Sequence, residues 1–188
     1  PLTAYADARV TAASALVDTM ISDLETFLAT DMGDESARTA ELDRVLNTYF
    51  DIDSITRFSA GQYWRAASGE QKTEYGSLFR EVLCGKIVRN FDQLQGLAYT
   101  ADAATAKGDK FVIVSGTFTD TTGQRPAVKV NWRVLTREGA APKVFDIEIE
   151  NLSLLVTQKQ ENVAVIRKNK GEFVTLIDAM KDRLANPV

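Results

Sequence analysis

The chain has 188 residues, 45% of them hydrophobic, and no Pro-, Gly- or Ser-rich stretch divides it, so a single domain over residues 1–188 with one substantial core is expected. A net charge of −4 argues against a nucleic-acid binder, because neutralising phosphates takes a basic stripe that this balance does not suggest. Histidine is absent, which removes the commonest general base, the Ser-His and Cys-His pairs and the usual zinc sites together.

Apolar residues at Val10, Ala13, Val17, Met20, Ile21, Leu24, Phe27 and Leu28 give the stripe of an amphipathic helix over residues 8–28, which residues 31–35 break. A second helix is expected over about residues 36–49, burying Ala37, Val45, Leu46 and Tyr49, and Asp51 or Asp53 starts a short third one that Gly61 ends. Ser68 and Gln71 have capping-box spacing, so a long helix begins there with the stripe Tyr75, Leu78, Phe79, Val82, Leu83 and Ile87, running on to Phe91 and Leu94. Lone Cys84 falls on that apolar stripe and reads as a small core residue, with no intrachain disulfide open to it.

After Gly96 the period changes from 3.6 to 2, weakly over residues 97–104 and clearly over residues 110–119. Residues 120–123 read as a hairpin connection. In the next strand Val128, Val130, Trp132 and Val134 alternate with Lys129, Asn131 and Arg133. A turn over residues 137–142 precedes a strand in which Phe145, Ile147 and Ile149 alternate with Asp146, Glu148 and Glu150. At Asn151 the alternation slips, which marks a bulge or strand end. Helices over about residues 152–168 and 172–184 close the chain, the last with the stripe Phe173, Leu176, Ile177, Met180 and Leu184. The order implies an α+β domain: N-terminal helices, an antiparallel sheet of about four strands, and C-terminal helices packed on the sheet.

Few residues point to chemistry. Asp146, Glu148 and Glu150 look like a Ca²⁺ cluster, but alternation puts them on the polar face with Lys129 and Arg133 opposite, and solvated cross-strand pairs of about 0.2 to 1 kcal/mol each fit better than a metal site. Gly61, Gly69 and Gly76 lack the spacing of a phosphate loop. An enzyme would have to use a carboxylate base with a Tyr donor, such as Glu74 with Tyr75 or Tyr63. No apolar run approaches the roughly 18 to 20 residues that span a bilayer, so this polypeptide reads as soluble. Pro1, with no leader-like pattern after it, reads as a processed or trimmed start.

Three blocks in order resemble one family. Phe50, Asp51, Arg57, Phe58, Gly61, Tyr63, Trp64, Arg65, Ala67, Ser68 and Gln71 form the first. Gly123, Arg125, Pro126 and Val128, leading to Trp132 and Arg133, form the second, and residues 144–171 the third. Together they resemble the MlaC or toluene-tolerance family of periplasmic phospholipid-shuttle proteins. The chain departs from the family pattern at Asn151, where Gly is usual and where Asn tolerates positive φ, and at Cys84 to Ile87, where a Tyr is common.

The resemblance implies a cystatin-like cone of sheet and helices around an apolar cavity. It also implies a periplasmic carrier that maintains outer-membrane lipid asymmetry, with phospholipid as ligand and no cofactor, metal or catalytic residue. The partners implied are an outer-membrane lipoprotein complex and an inner-membrane ATP-driven transport complex. A carrier must bury acyl chains, and the inward alternating set Val112, Val114, Phe118, Val130, Trp132, Phe145, Ile147 and Ile149, roofed by Phe79, Leu83, Leu155 and Ile166, is the expected lining. Lys86, Arg89 and Arg125 are the candidates for a head-group mouth. A hopanoid-type ligand of the same family, a pocket enzyme and an interaction module with a filled core stay open beside this reading.

Overall fold

The computed structural model describes residues 2–30 and 33–187; Pro1 and the start of the expected break at Asp31 lie outside the described residues. Among them are seven α-helices, a short 3-10 helix and five strands, an α+β fold as expected. The chain divides into two compact units, one of Pro1–Asp51 with Phe91–Leu154, the other of Ile52–Asn90 with Leu155–Val188.

The first unit holds α1 (Leu2–Ala29), α2 (Glu35–Tyr49) and an antiparallel meander of β1 (Leu97–Lys107), β2 (Phe111–Asp120), β3 (Val128–Leu135), β4 (Lys143–Ile149) and β5 (Leu152–Ser153) in sheet order 1-2-3-4-5. Strand alternation gives the sheet one apolar face, which we call inward. Ala13, Val17, Met20 and Ile21 of α1 recur at helical spacing and close over Val112, Val114, Val130, Trp132, Val134 and Val144, with Val45 and Tyr49 of α2 completing the cluster. Arg9 anchors α1 to the sheet: its guanidinium donates to Thr136 Oγ1 (3.0 Å) and to the carbonyls of Gly108 and Phe111 (3.1 Å each).

One side chain corrects the sequence reading. Val134 pairs with Val144 while Arg133 pairs with Asp146, so β4 carries a bulge with Phe145 as the extra residue. Val144 therefore takes the inward place, and Phe145 turns to the other face against Phe111, 5.8 Å between ring centroids, where Arg133 also lies over Phe111. Downstream, Glu150 (φ 49°) and Asn151 (φ 65°) make the two-residue turn that joins the paired residues Ile149 and Leu152, with positive φ at both positions as a type I′ hairpin requires. The final β5 uses Leu152 and Ser153, so the helix expected from residue 152 starts at Leu154. On the outer face Arg133 lies 3.7 Å from Asp146 and 3.9 Å from Glu148, and Glu150 accepts from the Lys129 amide. Asp146 is buried rather than solvated: it accepts from the Ile147 amide and from Ser153 Oγ.

The β2–β3 connection is closed by a charged staple. Asp120 accepts from the Thr122 amide and hydroxyl (2.9 and 2.8 Å) and from the Arg125 amide and Nε (2.9 and 3.1 Å). The rest of the Arg125 guanidinium donates to the carbonyls of Gln93 and Gln95, next to the four-residue α5 (Phe91–Leu94).

The second unit is helical: α3 (Ile52–Ser59), the 3-10 helix Gly61–Trp64, α4 (Gly69–Arg89), α6 (Leu154–Lys168) and α7 (Val174–Ala185). The predicted capping box is present, Ser68 Oγ accepting from the Gln71 amide while Gln71 Oε1 accepts from the Ser68 amide. Gly61 has φ +60°, and a Cβ there would lie 2.6 Å from Val163 Cγ2, so both the turn and the approach of α6 require glycine. Tyr75 is the hub, with Trp64, Phe79 and Phe173 around its ring at centroid distances of 6.3, 5.8 and 5.6 Å. Its hydroxyl ends in a buried polar chain. Ser59 Oγ donates to the Thr56 carbonyl, which leaves Tyr75 to donate to Ser59 Oγ; Asn162 Nδ2 donates to Tyr75 Oη and the Ser59 carbonyl, and Gln158 donates to Asn162 Oδ1.

Two outcomes follow from these buried polar groups. Tyr75→Phe keeps the ring and removes the hydroxyl, so Ser59 and Asn162 each lose a partner, and denaturant unfolding should show a loss of about 1 to 3 kcal/mol. Asp120 is held well below the usual carboxylate range, chiefly by the Thr122 amide and hydroxyl bonds. A depressed folded value contributes stability above the ordinary aspartate pKa of 3.8 that is lost as pH falls through the folded value. Asp120→Asn should therefore lower the melting temperature at neutral pH, and its gap to the parent protein should narrow only below about pH 4.

Candidate functional site

The inward sheet face of the first unit is apolar beyond the part that α1 closes. Tyr99, Phe118, Val128 and Ile147 lie half-buried at the margin of the core cluster. Farther along, Ile149 is 37% exposed, Leu152 61% and Leu154 45%. Ile149 and Leu152, cross-strand partners open to water at one sheet margin, form an apolar ledge, the kind of exposed apolar surface that suits an interaction site.

Where the ledge meets the core stands an aromatic trio. Tyr99 on β1 lies 5.1 Å from Phe118 on β2 and 6.4 Å from Trp132 on β3, centroid to centroid, and Phe118 lies 6.4 Å from Trp132. The indole Nε1 of Trp132 donates to Tyr99 Oη (3.1 Å). Beneath the phenol is Gly116, whose missing side chain is what admits it: a Cβ built there would fall 2.0 Å from Tyr99 Oη. Burial pushes the Tyr99 phenol up, so it stays neutral across physiological pH.

The expected lining residues fall into three groups. Val112, Val114, Val130 and Trp132 share the inward face and are sealed in the core cluster, while Phe118, Ile147 and Ile149 share that face at its half-buried to exposed margin. Phe145 is on the other face for the reason given above. Phe79, Leu155 and Ile166 are buried in the helical unit, and Leu83 is half-buried there on α4. Of the cations, Lys86 and Arg89 are exposed on the last turn of α4, where positive charge also favours the helix C-terminus. Arg125 donates to Asp120 and to two carbonyls, so its guanidinium is held to the β2–β3 connection. Tyr99, Gly116 and Leu152 also lie on this candidate face and were not singled out in the sequence; a glycine in the interior of a β-strand, between Val114 and Phe118, was the available signal.

The residues considered for acid-base work are separated. Glu74 is exposed and paired with Lys181 Nζ (2.7 Å), whereas Tyr75 turns inward, its phenol pushed up to about 12 mainly by burial. Tyr63 lines a shallow cleft of about 250 Å³ with Gln71, Glu172, Phe173 and Val174, smaller than usual ligand pockets of roughly 300 to 1,000 Å³. Among the described residues no group of three acidic, Cys or His side chains is placed to hold a metal, and no helix is long and apolar enough to cross a membrane.

Comparison with curated proteins found no match. A phospholipid-binding protein from Ralstonia solanacearum, solved in complex with a phospholipid, superposes with a TM-score of 0.74 at 24% identity, covering 91% of this chain and 96% of that one, a likeness of fold. The MlaC protein family profile matches residues 14–182, nearly the whole sequence and all three of the blocks read above, and the chain belongs to that family.

Proposed function

We propose that this chain is a periplasmic phospholipid carrier, in which residues 1–188 act as one lipid-binding domain. It takes up a diacyl lipid as a stoichiometric ligand and releases it unchanged. The observation that carries the reading is the ledge: Ile149 and Leu152 stand open to water on the same sheet face as Phe118 and Trp132, in a fold shared with a protein solved with a phospholipid. Hydrocarbon in water costs about 0.8 kcal/mol per CH₂, on the order of 12 kcal/mol for a sixteen-carbon chain, so a carrier needs such a surface to receive acyl chains. The sheet members of the expected lining, Phe118, Ile147 and Ile149, are its first contacts, and Val114, Val130 and Trp132 lie behind them. On the helical unit, Lys86 and Arg89 carry exposed positive charge of the kind that attracts a head-group phosphate.

Family membership supports the wider role, transfer between an outer-membrane lipoprotein complex and an inner-membrane ATP-driven complex in keeping outer-membrane asymmetry. No cofactor enters this scheme. An acid-base enzyme has less support, since Glu74 is engaged by Lys181 and Tyr75 is sealed in its polar chain.

Protein purified from a bacterial host should carry about one phospholipid per chain in native mass spectrometry, and labelled phospholipid should come back intact after incubation. Placing a carboxylate on the ledge, Leu152→Asp, should reduce retained lipid severalfold while the melting temperature holds, because that side chain is already largely in water. A homogeneous lipid-free mass with no uptake from labelled vesicles would sink the carrier reading, and accumulation of lysolipid or fatty acid would put the enzyme ahead.

A further inference from the structure

We propose that the cleft beside Tyr63 in the helical unit is a docking hole for one aromatic side chain carried on an acidic protein segment. It uses none of the residues of the ledge and does not depend on the carrier reading.

Three stretches of the helical unit build the cleft. Tyr63 of the 3-10 helix and Ala66 just after it form one wall, Gln71 in the first turn of α4 a second, and Gly171, Glu172 and Val174 around the start of α7 the third. Gly171 has φ +78°, and a Cβ there would lie 3.6 Å from Tyr63 Cε1, so the α6–α7 connection passes close against the ring. The space is about 250 Å³, below the roughly 300 to 1,000 Å³ of ordinary ligand pockets and far too small for a phospholipid. It suits a single aromatic anchor, the kind of side chain that dominates binding at protein interfaces. Tyr63 and Val174, the latter 43% exposed, give the anchor apolar contacts. The polar members suit a backbone beside it. Gln71 Oε1 is used by the Ser68 amide, which leaves Nε2 to donate, and the Glu172 carboxylate can accept. One donor and one acceptor are what the carbonyl and amide of a peptide need.

Charge sets the sign of the partner. Arg65 precedes Ala66, Lys72 follows Gln71 and Lys170 precedes Gly171, so three lining residues each have a cation next to them in sequence. Lys72 Nζ stands 5.4 Å from the centre of the Trp64 ring. Arg65, Arg167, Lys168 and Lys170 are exposed and form no ion pair among the described residues. The same stretches, residues 63–72 and 167–174, carry only two acids, Glu70 and Glu172. The bias extends over the whole helical unit, which holds 12 of the 22 Lys and Arg but 8 of the 26 Asp and Glu in a chain of net charge −4. Unpaired positive charge around a hole of side-chain size fits an acidic segment with one bulky anchor. An anionic bilayer would meet the charge but has nothing to place in the hole.

The test titrates the isotope-labelled full chain with two synthetic peptides, Asp-Glu-Asp-Trp-Asp-Glu-Asp and the same peptide with Ala in place of Trp, and follows backbone amide shifts. The Trp peptide should move the amides of Tyr63, Gln71 and Glu172, and added salt should weaken it severalfold. Ala66→Phe, which fills the hole, should abolish those shifts, and Arg65→Glu combined with Lys170→Glu should weaken binding at least severalfold. Melting temperatures should hold in both variants, because all three side chains are exposed. Absence of shifts at these amides with the Trp peptide would overturn the proposal. Equal shifts with the Ala peptide would overturn the anchor hole and leave a charged surface only. Shifts with phosphatidylglycerol vesicles and with neither peptide would give the surface to a membrane, and shifts that grow with protein concentration alone would give it to a second copy; either overturns the proposal. None of these results touches lipid retention, which native mass spectrometry reads separately.

Discussion

An antiparallel meander with period-2 alternation has one apolar face, and that face must be kept from water. In this chain α1 covers it over Val112, Val114, Val134 and Val144, with Arg9 tying the helix to three oxygen acceptors of the sheet. The cover stops short of Ile149 and Leu152, although the face continues. The same physical rule therefore produces two results on one surface. Where a helix stripe meets the strands the burial holds the fold together, and where the stripe stops, the apolar area at Ile149 and Leu152 is left open to water. At about 25 cal/mol per Å² of apolar surface, even a modest ledge supplies useful binding once something apolar lies on it.

Polar groups do the complementary work of fixing geometry. In the helical unit the Tyr75, Ser59 and Asn162 chain gives every buried donor a partner, which is the condition under which a polar core specifies one packing rather than weakening it. In the sheet unit Asp120 and Arg125 close a loop whose exposed turn residues offer no core of their own. Arg125 illustrates how a surface cation that looks suited to a phosphate is instead satisfied locally, with a carboxylate and two carbonyls using its planar fork of donors.

Much of this was legible in the sequence because it is periodic. Val17, Met20 and Ile21 lie on the buried face of α1, the Ser68 and Gln71 capping box starts α4, and alternation places Val128, Val130, Trp132 and Val134 on one face. The signals that failed are not periodic. A bulge adds one residue and flips the phase for a short distance, so Phe145 reads inward by parity and lies outward, while Ile147 and Ile149 beyond it keep their side. The ion pair of Arg125 depends on a turn returning the chain onto Asp120, and the seat of Tyr99 on Gly116 depends on a cross-strand diagonal, neither of which has a spacing along the sequence. Asn151 was readable for a local reason: positive φ is a property of one residue, and Asn tolerates it.

A carrier faces a constraint that an ordinary core does not, because its binding surface must be stable both with and without the ligand. An apolar slot left vacant would carry a cost of about 24 cal/mol per Å³ of void, and a wet one would expose hydrocarbon to water. Here the space over Gly116 is filled by the Tyr99 ring from the adjacent strand, held by a hydrogen bond from Trp132 with a net worth of about 1 kcal/mol, so the inward face is packed there without a void.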